Sequence, residues 1–262
     1  MNGERLLRVV VPVLVGLALL ALWEAAVRWQ GVPPYILPGP LLIGETLLRD
    51  GPSLMGSLGV TLRITLAALA AAALVGGALA LLFARSKLLE LSFFPYAVIL
   101  QVTPIVAIAP LIIIWIQNTF AALLVCAWIV AFFPIVSNTT LGLNSADRNL
   151  RDLFRLYGAS PWQTMALLRL PTALPYFLAG LRISGGLALI GAVVAEFVAG
   201  TGGTETGLAF RILEAGYRLQ IPRLFAALFL LSAAGIAIYA ALSLLSWLLL
   251  RRWHESAAPR EE

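Results

Sequence analysis

Charge is what this 262-residue chain has least of: 12% of its residues are Asp, Glu, Lys or Arg, against 61% hydrophobic, with a mean hydropathy of +0.94. Soluble domains carry about a quarter charged residues, so the composition excludes a water-soluble globule and defines an integral membrane protein. Cysteine and histidine are reduced to one each, Cys126 and His254. That excludes an internal disulfide or a Cys/His metal site. Cys126 reads as a small residue inside an apolar run, and His254 as part of a solvated tail. The sole lysine, Lys87, follows Ser86, whereas a phosphate-binding loop needs Gly-Lys-Ser/Thr. The chain is therefore expected to hold no cofactor and to be no enzyme. If ATP drives anything here, another polypeptide binds it. The net charge of +5 is scattered around apolar runs. A nucleic-acid partner would want a clustered basic face; scattered charge suits a lipid bilayer.

Long apolar runs are what the sequence has. A helix needs about 20 apolar residues to cross the hydrocarbon core, and six stretches qualify: 9–27, 64–84, 93–116, 119–143, 176–200 and 224–250. The predicted fold is all-α, a polytopic membrane protein with six transmembrane helices in one domain over 1–262. No small-residue cleavage site follows the first stretch, which reads as a retained span. With the N-terminus inside, eleven of the 18 basic residues fall on cytoplasmic segments and six outside, Arg182 lying within the fifth span. The positive-inside rule then puts both termini in the cytoplasm.

The outer segments carry structure too. Pro38 and Pro40 precede "LLIGETLLRD", a predicted short interfacial helix, and Leu208, Ile212, Ala215 and Leu219 recur at helical spacing in "TETGLAFRILEAGYRL". Gly76, Gly77, Gly185, Gly186 and Gly191 are predicted to let spans pack closely.

Residues 144–175 are neither lipid-like nor disordered. Leu150, Leu153, Phe154 and Tyr157 form an apolar stripe at helical spacing. Gly158 suits the left-handed turn that ends a helix. Ser160, Pro161 and Gln163 then supply an N-cap, a first-turn proline and a capping box. A second short helix is expected to stop near Arg169, before Pro171, with Pro175 opening the fifth span. The product is a helix–glycine–helix hairpin in the cytoplasm. Ordered connections of this length are usually functional, which points to protein docking.

This loop resembles the signature of permease subunits of binding-protein-dependent ABC importers: Glu-Ala-Ala, three residues, Gly, nine residues, then Ile-x-Leu-Pro. Gly158, Leu168, Leu170 and Pro171 match it, and Asp152-Leu153-Phe154 replaces the Glu-Ala-Ala triplet. "LQVTPIVAIAPLIIIWI" and "GAVVAEFVAGTGGTETGLAF" resemble the nitrate/sulfonate/taurine-type branch. Gln101, Pro104, Ala107 and Ala109-Pro110-Leu111 are nearest the permeases for thiamine-pyrimidine precursors and riboflavin. The resemblance implies a bacterial inner-membrane importer with two permease copies as a homodimer, two ATPase subunits and a periplasmic or extracellular binding protein. ATPase coupling would fall to Asp152, Leu153, Phe154, Arg155, Tyr157, Gly158, Ala159, Trp162, Leu168, Leu170 and Pro171, with Arg169 at a polar rim.

Polar groups inside spans are the default place for a substrate path: Gln101 and Thr103 in the third, Asn138 with Ser137, Thr139 and Thr140 in the fourth, and Glu196 in the fifth. Glu24 is expected to snorkel. Arg182 and Glu196 lie about 21 Å apart along one helix, so each needs another partner or water. The expected function is ATP-driven import of a small organic solute by alternating access. A secondary transporter driven by an ion gradient is the alternative, and an intramembrane enzyme is disfavoured because no span holds a histidine.

Overall fold

The computed structural model describes residues 2–200 and 206–251, and every described element is helical. His254, Arg252 and Arg260 lie outside the described residues, as do Thr204 and Glu205. The helices are α1 (Asn2–Trp29), α2 (Pro40–Arg85), α3 (Lys87–Val102), α4 (Ile105–Trp115), α5 (Thr119–Asn144), α6 (Arg148–Leu156), α7 (Pro161–Thr164), α8 (Leu170–Ala199), α9 (Leu208–Tyr217) and α10 (Ile221–Leu250), with a π-turn over Met165–Arg169. Among the described residues, five helical stretches are long and apolar enough to cross a membrane, and the α3–α4 pair qualifies only when taken together, as a broken span or a re-entrant loop. The chain forms two compact units, one of Met1–Gly59 with Gly202–Ser232, the other of Val60–Thr201 with Ala233–Glu262.

The expected third span, 93–116, is not one rod. α3 and α4 meet at a bend of 101°, because Pro104 has no N–H to donate and pushes Thr103 out of the helical region. Thr103 is extended at φ −69°, ψ 122°, and its hydroxyl donates to the Ile99 carbonyl at 2.7 Å.

The predicted interfacial helix over 41–50 and the span from Ile64 form one helix of 46 residues. The helix runs on through Gly51 and Pro52. An internal proline removes one hydrogen bond, and long apolar helices absorb that where neighbouring groups take up the freed carbonyl.

In the second unit, α5 and α8 pack closely enough to need glycine. A Cβ on Gly191 would lie 2.8 Å from the Ala127 Cα, and one on Gly180 would lie 2.8 Å from the Pro134 carbonyl oxygen. The buried Ser184 hydroxyl donates across the same seam to the Ala131 carbonyl at 2.6 Å. Small residues and an interhelical hydrogen bond are how helices associate where no hydrophobic force separates protein from lipid. Of the glycines expected to serve packing, Gly76, Gly185 and Gly191 are crowded, whereas Gly186 faces open space. Cys126 is fully buried in the cluster of Ile64, Ala68, Ala109, Ala122 and Ala127.

In the first unit, Glu24 is held by two donors. Its carboxylate accepts from Arg28 Nε at 2.6 Å and from the Leu41 amide at 3.1 Å, satisfying a free N–H at the start of α2. The surface helix expected around Leu208–Leu219 is α9, which ends at Tyr217. Leu219 falls beyond it in the left-handed conformation, 69% exposed, rather than on its apolar stripe.

Candidate functional site

The 144–175 loop folds as a capped hairpin. Asp147 starts α6, its carboxylate accepting from the amides of Asn149 at 2.8 Å and Leu150 at 3.1 Å. Arg151 reaches back to the Ala146 carbonyl through Nη2 at 2.6 Å and Nε at 3.0 Å, fixing how α6 leaves α5. Gly158 sits at φ +68°. The Ala159 amide donates to Phe154 O at 2.9 Å and the Gly158 amide to Arg155 O at 3.0 Å, the paired bonds of a Schellman turn. The capping box forms as the sequence predicts: the Gln163 amide donates to Ser160 Oγ at 3.2 Å, and the Ser160 amide to Gln163 Oε1 at 2.7 Å.

The second helix does not stop before Pro171. α7 passes through the π-turn directly into α8, and the Leu170 amide donates to Met165 O, five residues back. The wider turn accommodates Pro171, which cannot donate and whose ring would crowd a carbonyl four residues back in an α-helix. The hairpin's second arm and the fifth span are therefore one continuous rod.

Arg169 locks this rod to two other helix ends. Its Nη1 donates to Ala84 O in the last turn of α2, Nε to Leu143 O and Nη2 to Asn144 Oδ1 at the end of α5, each at 2.8 Å. Arginine's fork satisfies carbonyls that a helix C-terminus leaves free. This residue, expected at a polar rim, is thus spent inside the protein. Met165 and Leu168 are buried; Met165 packs with Ala80, Leu143 and Ala173. Leu168 therefore belongs to the frame rather than to an outer surface.

The remaining hairpin residues face outward. Leu150 and Leu153 are about half exposed, Leu156 and Tyr157 are 85% and 83% exposed, and Trp162 is 64% exposed. No residue of α6 is buried. Asp152 and Arg155 form a loose exposed pair at 3.7 Å. The Arg85 guanidinium lies over the Trp162 ring at 5.7 Å. Both line a cavity of about 580 Å³ with Ser160, Pro161, Met165 and Arg169. A second cavity of about 340 Å³ is lined by Arg151, Arg155, Ala159, Pro161, Thr164 and Arg169. Exposed Trp, Tyr and Leu beside arginine is the composition of a protein-binding surface. Leu156 and the carbonyl ties of Arg151 and Arg169 escape the sequence; Asp147, an N-cap type before an apolar-periodic stretch, was open to it.

The four substrate-path residues lie on separate elements, and neither hairpin cavity includes them. Gln101 is exposed near the end of α3, and Thr103 sits at the α3–α4 break. Asn138 donates to its own helix at Pro134 O, 2.8 Å. Glu196 is buried near the end of α8. Thr139 and Thr140 beside Asn138 carry buried hydroxyls with no hydrogen-bond partner. Arg182 finds the face of Tyr239 at 6.0 Å.

The chain thus combines a bent α3–α4 pair, a close-packed α5–α8 pair and a capped hairpin continuous with a long apolar helix. Residues 72–256 match the family of binding-protein-dependent transport system inner membrane components, and the chain belongs to that family. It is 35% identical over 240 residues to the formylaminopyrimidine transport permease protein ThiX of Halalkalibacterium halodurans, covering 91% of this chain and 94% of that one. It is also 35% identical over 247 residues to the riboflavin transport system permease protein RibX of Chloroflexus aurantiacus, covering 91% and 88%. A solved amino acid ABC transporter with histidines shares the fold at a TM-score of 0.63 and 19% identity, over 79% of this chain and 96% of that one. The chain is a permease subunit of a binding-protein-dependent ABC importer, a non-enzymatic inner membrane component.

Proposed function

We infer that this permease couples to separate ATPase subunits through the 144–175 hairpin, and that ATP-driven closure of those subunits switches the membrane path between inward and outward access. The carrying observation is mechanical. The hairpin's exposed apolar face is continuous with α8 through the π-turn and tied to the ends of α2 and α5 by Arg169.

Leu153, Tyr157 and Trp162, with the missed Leu156, are the apolar anchors; Asp152, Arg155 and Ala159 edge them, and Phe154 and Gly158 set the turn. Leu168, Leu170 and Pro171 transmit the motion. A push on α7 is delivered as a rigid displacement of α8, because a continuous helix cannot bend at a loop it does not have.

The assembly is two copies of this permease, two ATPases holding ATP and Mg²⁺, and an external binding protein that supplies selectivity. Gln101, Thr103, Asn138 and Glu196 border the path, and both termini are cytoplasmic. The substrate is a small aromatic heterocycle, a reading supported by the names of two relatives and by the scarcity of charge along the spans. Uptake into proteoliposomes tests this. It is expected to need ATP and the binding protein and to survive collapse of ion gradients; uptake driven by an ion gradient without ATPase would overturn it.

A further inference from the structure

We propose that the smaller hairpin cavity seats one carboxylate side chain of the ATPase, bound by the guanidinium groups of Arg151 and Arg155. The proposal rests on the docking role inferred for the hairpin and specifies the chemistry that docks there. The cavity, about 340 Å³, is lined by Arg151, Arg155 and Arg169 and by no acidic residue. Three charges of one sign around so small a space repel one another, and an anion entering it relieves all three.

The protein itself supplies no such anion. Arg169 spends its fork on Ala84, Leu143 and Asn144, and Arg151 spends Nε and Nη2 on Ala146 and Asn144. Every one of these acceptors is a neutral oxygen, so the hydrogen bonds are made while the charges stay uncompensated. The two cations meet at one residue, Arg151 on the Asn144 carbonyl at 3.2 Å and Arg169 on its side-chain oxygen at 2.8 Å. Among the described residues the hairpin holds one ion pair, Asp152 with Arg155, loose at 3.7 Å and mostly exposed. Asp152 does not line the cavity.

The donors left over say what fits. A guanidinium carries five N–H groups. Among the described residues, Arg151 leaves both N–H groups of Nη1 unpaired, and Arg155 has only its loose contact with Asp152. Arg169 forms a charged wall with its fork already committed, so the bonds fall to the other two. Arginine N–H groups of this kind match a carboxylate, which takes two of them at once. The same hairpin exposes Leu156, Tyr157 and Trp162, so the carboxylate arrives on the protein that those residues hold. A charged pair enclosed by apolar anchors fixes the register of a docked partner.

The test uses the assembled transporter. Lys87 is the sole native lysine, so Arg155→Lys in a Lys87→Arg background places a single side-chain amine at the cavity. A carbodiimide joins an amine to a carboxylate in direct contact. The expected product is an amide between position 155 and one Asp or Glu of the ATPase, located by mass spectrometry. Arg155→Gln should lower ATPase retention by about tenfold. Arg155→Glu should lower it further and recover when the captured acid is changed to arginine. Arg148→Gln removes another exposed hairpin charge that does not line the cavity, and should change retention less than about twofold. Equal losses from Arg148→Gln and Arg155→Gln would mean a diffuse charge effect and overturn the proposal. So would an adduct confined to the permease's own carboxylates. No adduct at position 155, while a photocrosslinker at position 157 captures the ATPase, would also overturn it and leave the docking role standing. Failure at both positions would remove both.

Discussion

The guanidinium of Arg169 donates to the carbonyl of Ala84 at 2.8 Å across 85 residues of chain, joining the foot of the hairpin to the end of α2. Its other two bonds reach Leu143 and Asn144 at the end of α5. One side chain thus makes three helices share any displacement of the hairpin.

Arg169→Gln is expected to separate docking from coupling. Hydrogen bonds to a charged group contribute about 1.5–3 kcal/mol each, so losing them loosens the joint, while the exposed anchors on α6 and α7 stay in place. ATPase should copurify near the wild-type level, but substrate-stimulated hydrolysis and uptake should fall sharply, with Arg169→Lys intermediate. Equal loss of ATPase retention would make Arg169 part of the docking face itself.

Gly158→Val tests the hairpin's shape. A Cβ there meets no neighbour, so the cost comes from the left-handed backbone at φ +68°, roughly 1–2 kcal/mol and more for a β-branched residue. That is too little to prevent insertion and enough to re-aim α7. Membrane level should stay near wild type while uptake per inserted molecule drops, with Gly158→Ala milder.

Much of this hairpin was legible because its signals are local. Gly158, Ser160, Pro161 and Gln163 act on backbone within three residues, and a sequence displays such spacing directly. The continuity through Pro171 was not legible, because a proline reads as a stop and the π-turn that accommodates it has no residue signature. Arg169 looked like a rim charge for a similar reason: its partners lie 26 and 85 residues away. In the spans, Pro104 was visible but its 101° bend was hidden because residues 93–116 are long and apolar enough to read as one span. The short interfacial helix read over 41–50 gave the opposite error, since it runs on through Pro52 into the second span.

Gly191→Val should weaken the α5–α8 seam. Its Cβ would stand 2.8 Å from the Ala127 Cα, a backbone atom with little freedom to give way. Overpacking of this kind costs about 1–3 kcal/mol, so the melting temperature in detergent should fall. Gly186→Ala, whose Cβ faces open space, should leave it unchanged. Equal effects would mean the seam is not close-packed at Gly191.

Acid should loosen α9. The Glu214 carboxyl is held below its ordinary value of 4.5, first by its hydrogen bond from Arg211 and then by the charges of Arg218, Arg211 and Arg223 against the opposing effect of burial. A depressed carboxyl contributes its stability above the ordinary value and loses it as the pH falls through the lower folded value. Hydrogen exchange in α9 should therefore quicken as the pH drops below about 4.5, after correction for intrinsic rates. Glu214→Gln should exchange faster at neutral pH and show little further acid dependence.

The central claim is that the hairpin is where the ATPase is held. The sole cysteine, Cys126, is fully buried, so a cysteine placed at Tyr157 in a Cys126→Ser background gives one reactive thiol on the exposed hairpin. The measurement attaches a short photocrosslinker there in the assembled, active transporter and identifies the captured polypeptide with and without ATP. The expected product is a one-to-one adduct with the subunit carrying the phosphate-binding loop, its yield changing with nucleotide. An active transporter that yields no such adduct, while a crosslinker elsewhere on the cytoplasmic side captures the ATPase, would contradict the claim.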